Sequence, residues 1–392
     1  MTLPVATVIT RLEGGAGVLA LRGVQALDPV LVRPTIVTGS GGRLLDEAAA
    51  SGIEVLVEPM LREVVAPRSD LLAIGLLESL FRERDFAVVH THCAKAGAVG
   101  RMAAHRAGMS RIVHTFHGFP FHEFQSAVRR RAYVSIERRL GRITDVALCV
   151  GGSVAAEAVR RRIITAERVR TIGVCVDGPG RLRAGMNAGL PEARRRAREA
   201  LGLPGGATVV GTVGRLAYQK APEDFLAAMT GIGRRDVVGV WIGGGELAEH
   251  VARQAARLPS GVRVVLAGER TDVLDVLPAF DVFAMSSRYE GLPTVIVEAM
   301  ICGVPVVATA VNAVPDLVVP GVTGTLVPAG RPAELAAAIS HLLDAPEAAA
   351  RMAATARARL SGQHDEASLR AVLTAAYAPG GLPAPTTPAL SG

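Results

Sequence analysis

Residues 286–309 read SSRYEGLPTVIVEAMICGVPVVAT. Two carboxylates, Glu290 and Glu298, stand eight residues apart with the turn Gly291-Leu292-Pro293 between them. Proline suits the first position of a helix, where its missing N–H has no partner to lose. The stretch therefore reads as a loop ending at Glu290, a helix opening at Pro293 with Glu298 in its second turn, and a buried strand over 304–308. The first N–H groups of such a helix, at Leu292, Thr294 and Val295, find no acceptor within it. Together with the helix dipole they attract a phosphate. A carboxylate before the anion site and another beyond it suit a ligand with hydroxyls on both sides of a phosphate, as a nucleotide sugar has. Two solvated carboxylates beside an ordinary helix start fit the same spacing, so the rest of the chain has to decide.

The loop–helix–strand unit recurs on both sides of this stretch. In the first half, apolar runs at 4–10, 31–37, 53–58, 86–91, 111–115, 145–150 and 168–172 alternate with helical patterns at 69–84, 95–107, 126–141 and 153–162. In the second, runs at 207–213, 237–242, 262–267, 281–285, 304–308 and 324–327 alternate with helices at 221–230, 246–257, 271–279, 293–302, 331–344 and 346–360. Apolar strands in alternation with helices predict parallel sheets covered on both faces. The predicted fold class is α/β, with two doubly wound, Rossmann-like domains facing a cleft. The N-terminal domain takes 1–172 and the C-terminal domain 207–363. The Gly-, Arg- and Pro-rich segment 173–206 connects them, a final helix packs at 364–377, and the Pro/Gly/Thr-rich tail 378–392 is expected to be disordered. Ligands of such sheets bind at the carboxyl ends of the strands.

Composition narrows the function. At 392 residues the chain exceeds one compact core. Its net charge of +7 is carried almost wholly by arginine, with lysine only at 95 and 220. Aromatic residues make up 4% and no nucleic-acid-binding motif occurs, so basicity alone does not argue for nucleic acid. The two lysines, both in glycine-flanked loops, are candidates for phosphate chemistry, since an ammonium is a compact point charge. No apolar run reaches the ~18 residues of a membrane span. The opening MTLPVATVIT reads as a first strand rather than a leader, and the four scattered cysteines form no CxxC pair. A cytoplasmic protein without a disulfide framework or zinc site is expected.

Candidate site residues follow the strand ends. Strand one runs into TRLEGGAG, where Gly14, Gly15 and Gly17 would let backbone approach a ligand. This is not GxGxxG, and Gly39-Ser40-Gly41-Gly42 also lacks the third glycine of a dinucleotide fingerprint. Strand four ends in VVHTHCAKAG; His90 and His92 are read as facing opposite sides of the strand end, and Lys95 opens the next helix. HTFHGFPFHEFQS places His117 after strand five and gathers Phe116, Phe119, Phe121 and Phe124, which would wall an acceptor pocket or form a satellite core. The arginines of RRRAYVSIERRLGR, residues 129–142, read as a solvated helix face, with a membrane-surface patch as the lesser reading. In the second half Arg215 and Lys220 of GRLAYQK precede a helix, a setting for a diphosphate, and Gly243, Gly244, Gly245 and Arg270 lie in the following strand–helix loops.

GTVGRLAYQK, WIGGGEL, AGERTDV and EGLPTVIVEAMICGVPVVAT, in that order, resemble the retaining glycosyltransferases of GT-B fold, family 4, also termed group 1. The likeness reaches into the first half through EGGAG, HTHCAKAG and HTFHGF. It implies that Arg215 and Lys220 hold the diphosphate of a UDP-sugar donor and that Glu298 binds the ribose. Glu290 and the N–H groups of Gly291, Leu292 and Thr294, around Pro293, would meet the transferred sugar or the phosphate. Arg270 would lie near the base, Gly14, Gly15 and Gly17 near the phosphates, His117 near the reacting carbon, and His92 and Lys95 near the acceptor. Two departures stand out: Gly-Leu-Pro replaces an aromatic–glycine step after the first Glu, and Ile172-Gly173-Val174-Cys175-Val176-Asp177 replaces the usual Pro-Asn-Gly-Val-Asp segment.

No DxD occurs, so no catalytic metal and no cofactor are expected. The cations and the helix start would stabilise the leaving diphosphate, which would take the acceptor's proton on the same face of the sugar. The chain also looks similar to actinobacterial transferases acting on small polar acceptors. That makes the aminocyclitol 2-deoxystreptamine of aminoglycoside antibiotic biosynthesis one acceptor, with Glu13 and Glu123 as carboxylates for its amines. The alternatives are a lipid-linked or cell-envelope acceptor met at the membrane surface, and a UDP-sugar epimerase that needs no acceptor.

Overall fold

The computed structural model describes residues 2–122, 124–176, 190–204, 206–360 and 365–378. Glu123, much of the expected connection and almost all of the expected tail therefore lie outside the described residues. Two compact units emerge. One gathers the described residues up to Cys175 together with the helix Glu366–Tyr377, and the other those from Val176 to Leu360.

The first unit is built on strands β1 (Leu3–Leu12), β2 (Val32–Gly41), β3 (Glu54–Val57), β4 (Val88–His92), β5 (Arg111–Phe116), β6 (Val146–Cys149) and β7 (Val169–Thr171). They form one parallel sheet in the order β3-β2-β1-β4-β5-β6-β7. The apolar runs have no polar face because both sides of the sheet are covered. Ala6 and Val8 of β1 pack with Leu77, Phe81 and Val99 in one cluster, while Ile9 and Ile36 pack with Leu21 and Val24 in another. Each such side chain, fully buried, contributes roughly 1.5–3 kcal/mol. The chain builds outward from β1 to β3, then returns to place β4 beside β1, so the order reverses between β1 and β4.

The final helix belongs to this unit. Glu366–Tyr377 lies against the helix Gly14–Ala26, where Gly23 leaves room for Leu373: a Cβ there would stand 3.2 Å from Leu373 Cδ1. Arg111 Nε donates to the Ala376 carbonyl at 2.9 Å, and Asp365 caps the helix by accepting from Ser368 N at 2.8 Å. Inside the unit a buried ion pair joins Arg101 to Glu137 at 2.8 Å. The helix Ala127–Arg142 thus turns Glu137, Val134 and Leu140 inward and leaves Arg129, Arg131, Arg138, Arg139 and Arg142 exposed.

The second unit holds β8 (Thr208–Val213), β9 (Val237–Ile242), β10 (Arg263–Leu266), β11 (Val282–Met285), β12 (Val306–Thr309) and β13 (Thr325–Val327). Their parallel order is β10-β9-β8-β11-β12-β13, reversing between β8 and β11. The one tryptophan, Trp241, packs edge-on against Phe225 at 5.5 Å between ring centres. The helix expected over 271–279 is shorter. Val273–Val276 is helical and Leu277–Ala279 tightens to a 3-10 turn around Pro278, which has no N–H to continue the helix.

Candidate functional site

In an open parallel sheet, the loops at the carboxyl ends diverge where the strand order reverses, and that opening is where ligands bind. In the second unit this point lies between β8 and β11. The loop after β8 makes a 3-10 turn, Tyr218–Lys220, then passes through Ala221 at φ +49° into the helix Pro222–Ile232. A left-handed alanine costs roughly 1–2 kcal/mol. Here it is held by Ser286, whose hydroxyl reaches the Lys220 and Ala221 carbonyls at 2.9 and 3.0 Å. The turn aims Lys220 across the switch point at Glu290, with Nζ 2.5 Å from Oε1.

Glu290 is the most enclosed acid of the site. Its side chain is 5% exposed, against 19% for Lys220. Oε1 also accepts from Ser287 Oγ at 2.6 Å, Oε2 accepts from Gln219 Nε2 at 3.2 Å, and the Glu290 N–H donates to Asn312 Oδ1 at 2.9 Å. The carboxylate is thus fixed by the protein's own groups. Lys220 is engaged with it, yet its ammonium has three donors and keeps capacity for a phosphate.

Pro293 corrects the expected helix start. It occupies the N-cap with extended backbone (φ −73°, ψ 108°), and the helix runs Thr294–Ile301. Proline's fixed φ suits either position, and the chain still needs an extended step to leave the Gly291-Leu292 turn. Ile296 N donates to the Pro293 carbonyl at 3.0 Å, and no side chain caps the helix. The N–H groups of Thr294 and Val295 therefore head it. Glu298 stands half-buried in the second turn, where its charge joins burial in pushing the Cys302 thiol up to about 12.

Arg215 stands apart from the Lys220–Glu290 pair. It is exposed, 4.0 Å from Glu246, and its charge reaches the Tyr289 phenol, whose pKa burial raises. Arg270 is committed to Asp272 through Nε at 2.8 Å and a second guanidinium nitrogen at 2.5 Å. The glycines of WIGGGEL clamp the Arg215 loop by backbone contact. Leu216 N donates to Gly244 O at 2.6 Å, Leu247 N to Leu216 O at 2.9 Å, and Trp241 Nε1 to Gly214 O at 2.8 Å. A Cβ on Gly243 (φ +134°) would stand 2.2 Å from Gly214 O, and one on Gly245 (φ +146°) 2.5 Å from Leu216 O. Gly243→Ala is expected to destabilise the second unit by at least roughly 2–3 kcal/mol through strain and clash. Gly206→Ala, where a Cβ meets nothing within 4 Å, should stay within about 0.5 kcal/mol. Denaturant midpoints of the two variants check this; equal midpoints would refute the clamp.

In the first unit the corresponding opening lies between β1 and β4. Glu13 precedes the helix Gly14–Ala26 and pairs with Arg11; its Oε1 would stand 2.7 Å from a Cβ on Gly42. Gly14, at φ +62°, takes a left-handed turn into open space, whereas Gly17 serves packing: its Cβ would lie 2.9 Å from Leu12 C. Gly15 is exposed in the same first turn. Lys95 pairs with Asp70 and donates to the Val64 carbonyl at 3.2 Å.

His90 and His92 do not face opposite sides as expected. A strand repeats every two residues, so both lie on one face with ring centres 4.3 Å apart, and Thr91 points the other way to His114 Nδ1 at 2.8 Å. His90 bonds Tyr377 OH at 2.8 Å and Thr115 Oγ1 at 2.7 Å, and His92 Nδ1 meets His117 Nε2 at 3.0 Å. Burial holds all four histidines neutral, His90 down to about 3 and His117 to about 4. Phe116 and Phe121 are buried, Phe119 stacks on Phe121 at 4.7 Å, and Phe124 is exposed, so these rings make a small core with one outward member.

Sequence reasoning missed Gln219, Ser287 and Asn312. Each was visible as a polar residue within or beside a quoted motif, but nothing local shows that all three converge on Glu290. Among the described residues no cluster of three or more His, Cys, Asp or Glu could hold a metal ion, and no helix is long and apolar enough to cross a membrane.

Comparison with known proteins gives this geometry a family. A model described as Glycosyltransferase Family 4 matches residues 13–177, and one described as Glycosyl transferases group 1 matches residues 193–359. The chain belongs to the group 1, family 4 glycosyltransferases. Its two parallel-sheet units are those of the GT-B fold. They match an Anabaena protein, Alr3699/HepE, solved in complex with UDP and glucose, at a TM-score of 0.78 and 22% identity, covering 94% of this chain and 98% of that one. A UDP-Gal:alpha-D-GlcNAc-diphosphoundecaprenol alpha-1,3-galactosyltransferase of Escherichia coli is 29% identical over 259 residues, 65% of each chain. D-inositol 3-phosphate glycosyltransferase 2 of Catenulispora acidiphila is 30% identical over 301 residues, 69% of this chain and 65% of that one. The match thus spans just under two thirds of the length of these two curated relatives.

Proposed function

We propose that this glycosyltransferase moves a hexosyl group, glucose or N-acetylglucosamine, from a UDP-sugar to a hydroxyl acceptor with retention of configuration and without a metal, in the cytoplasm. The observation that carries this reading is the Lys220–Glu290 pair at the β8/β11 switch point, beside the uncapped start of the helix Thr294–Ile301. Glu290 is held rigidly enough to accept from a sugar hydroxyl. Lys220, Arg215 and the N–H groups at Thr294 and Val295 would take the charge that develops on the leaving diphosphate, an arrangement set before the reaction begins. Glu298 would serve the ribose, Arg270 the base, and Gly14, Gly15 and Gly17 the phosphates. His117, neutral at physiological pH, would border the reacting carbon. UDP as the nucleotude carrier is supported by the names of the Escherichia coli relative and the Anabaena complex.

For the acceptor, the reading is a small polar polyol near His117 and Lys95, of which 2-deoxystreptamine in antibiotic biosynthesis is the specific case. The inositol-phosphate relative supports a cyclitol. The pairing of Glu13 with Arg11 weakens its claim on a cationic amine. A second reading, a lipid-linked acceptor, is favoured by the exposed arginines of the helix Ala127–Arg142, which stand beside Val128 at 78% and Ile136 at 46% exposure. That surface matches an anionic lipid layer, where each arginine contributes about 1 kcal/mol.

Thermal unfolding with UDP, GDP, ADP and their sugars tests the donor. A ligand at ~100 Kd that binds only the folded state stabilises it by about 2.7 kcal/mol. A shift with uridine compounds alone is expected, and no shift with any nucleotide would overturn the reading. Arg215→Ala is expected to lower turnover at least ~tenfold with melting little changed, because the side chain is exposed and its 4.0 Å pairing with the equally exposed Glu246 adds little to stability. Assays of UDP release with inositol phosphate, 2-deoxystreptamine and polyprenyl-diphosphate sugars then separate the acceptors. Isomerisation of the donor without acceptor would instead mark an epimerase.

A further inference from the structure

We propose that His92 is a positioning residue for His117, holding its imidazole in one orientation and one tautomer. The proposal rests on the reading above, in which His117 borders the reacting carbon. Strand register brings the two together: His92, the last residue of β4, pairs with Thr115 of β5, and His117 follows two residues on. Nδ1 of His92 and Nε2 of His117 are 3.0 Å apart, with ring centres at 5.2 Å and planes at 42°. Two neutral imidazoles can share a hydrogen bond only if one offers N–H and the other a lone pair. The bond therefore couples the two tautomers: His117 carries its proton on Nδ1 when His92 donates and on Nε2 when His92 accepts, so the state of His92 sets what His117 can offer to a ligand.

His92 is itself held. It is 3% exposed, and its ring packs at 4.3 Å on His90, which is bonded at both nitrogens by Tyr377 and Thr115. The contacts run from the final helix through His90 and His92 to His117, and support of this kind is what keeps a reacting group in place. Such burial makes an indirect role for His92 more consistent with the geometry than direct contact with an acceptor.

The test compares wild type, His117→Ala, His92→Leu and His92→Asn, with UDP release from UDP-glucose and UDP-N-acetylglucosamine as the readout beside melting temperature. Asparagine places an amide near the position of Nδ1. His92→Leu should lower kcat roughly ten- to a hundredfold, the scale of a misplaced catalytic group, with donor KM little changed. His92→Asn should recover most of the loss. Nitrogen-15 spectra should show one His117 tautomer in wild type and a mixture in His92→Leu.

Wild-type kcat in His92→Leu beside a slow His117→Ala would overturn the proposal, as would a tautomer mixture in wild type. If His117→Ala is as fast as wild type, it is the placement of His117 at the reacting carbon that fails, and the spectra still decide whether His92 sets the tautomer. If His92→Leu does not fold, the wild-type spectrum decides alone.

Discussion

Lowering the pH from 7 to about 5 is expected to destabilise the first unit steeply. His90, His92, His114 and His117 are buried, and desolvation is the first cause of the depressed pKa of each; for His117 it is the whole cause, neighbouring histidines add to it for His90 and His92, and Arg101 followed by histidines adds to it for His114. In the unfolded chain each takes a proton near 6.5, whereas in the fold His117 waits until about 4 and His90 until about 3. Between those limits the unfolded state binds more protons. Stability therefore rises with pH through this window and is lost as pH falls below about 6.5.

Each such group contributes up to about 1.4 kcal/mol per pH unit. One alone gives roughly 2 kcal/mol between pH 6.5 and 5, and four acting together approach the whole ~5–15 kcal/mol of a typical domain. Denaturant unfolding at a series of pH values, followed by a probe in the first unit, measures the slope. A flat profile from pH 7 to 5 would mean that the histidines ionise within the fold, and the neutral cluster would have to be abandoned.

The second large effect concerns Lys220. Lys220→Ala is expected to lower melting temperature and turnover together, whereas Arg215→Ala lowers turnover alone. Removing one partner of a buried ion pair strands the other charge, at a cost of about 3–5 kcal/mol when both are sealed from water. Lys220 is 19% exposed, and Ser287 and Gln219 still serve Glu290, so roughly 2–3 kcal/mol is expected. Adding Glu290→Gln removes the stranded charge and should restore stability, while turnover stays at least ~tenfold down because the cation for the leaving diphosphate is still missing. Unchanged melting in Lys220→Ala would show that the pair contributes nothing to the fold. Near-wild-type turnover would end the phosphate assignment.

Much of the fold was legible in the chain. Strands buried on both faces must be apolar throughout, so short apolar runs separated by helical patterns announced two parallel sheets, and the motifs fell at strand ends where ligands bind. The site was legible in its residues but not in their pairings. Glycine illustrates the limit: Gly14 and Gly243 are the same letter, yet one turns into open space and the other admits a neighbouring backbone. The expectation that His90 and His92 face apart was an error of strand geometry that the sequence itself contained the means to correct.

Local sequence alone determined that this chain forms strand–loop–helix units with cations and carboxylates in the loops. Hydrophobic periodicity and turn chemistry act over a few residues, so they can be read in place. Tertiary structure alone decided that Lys220 meets Glu290, seventy positions away, that Lys95 is taken by Asp70, and that His92 is bonded to His117. Those partners are chosen by which strands lie side by side. Strand order is fixed by the packing of whole sheets and helices, which no short stretch of the chain encodes.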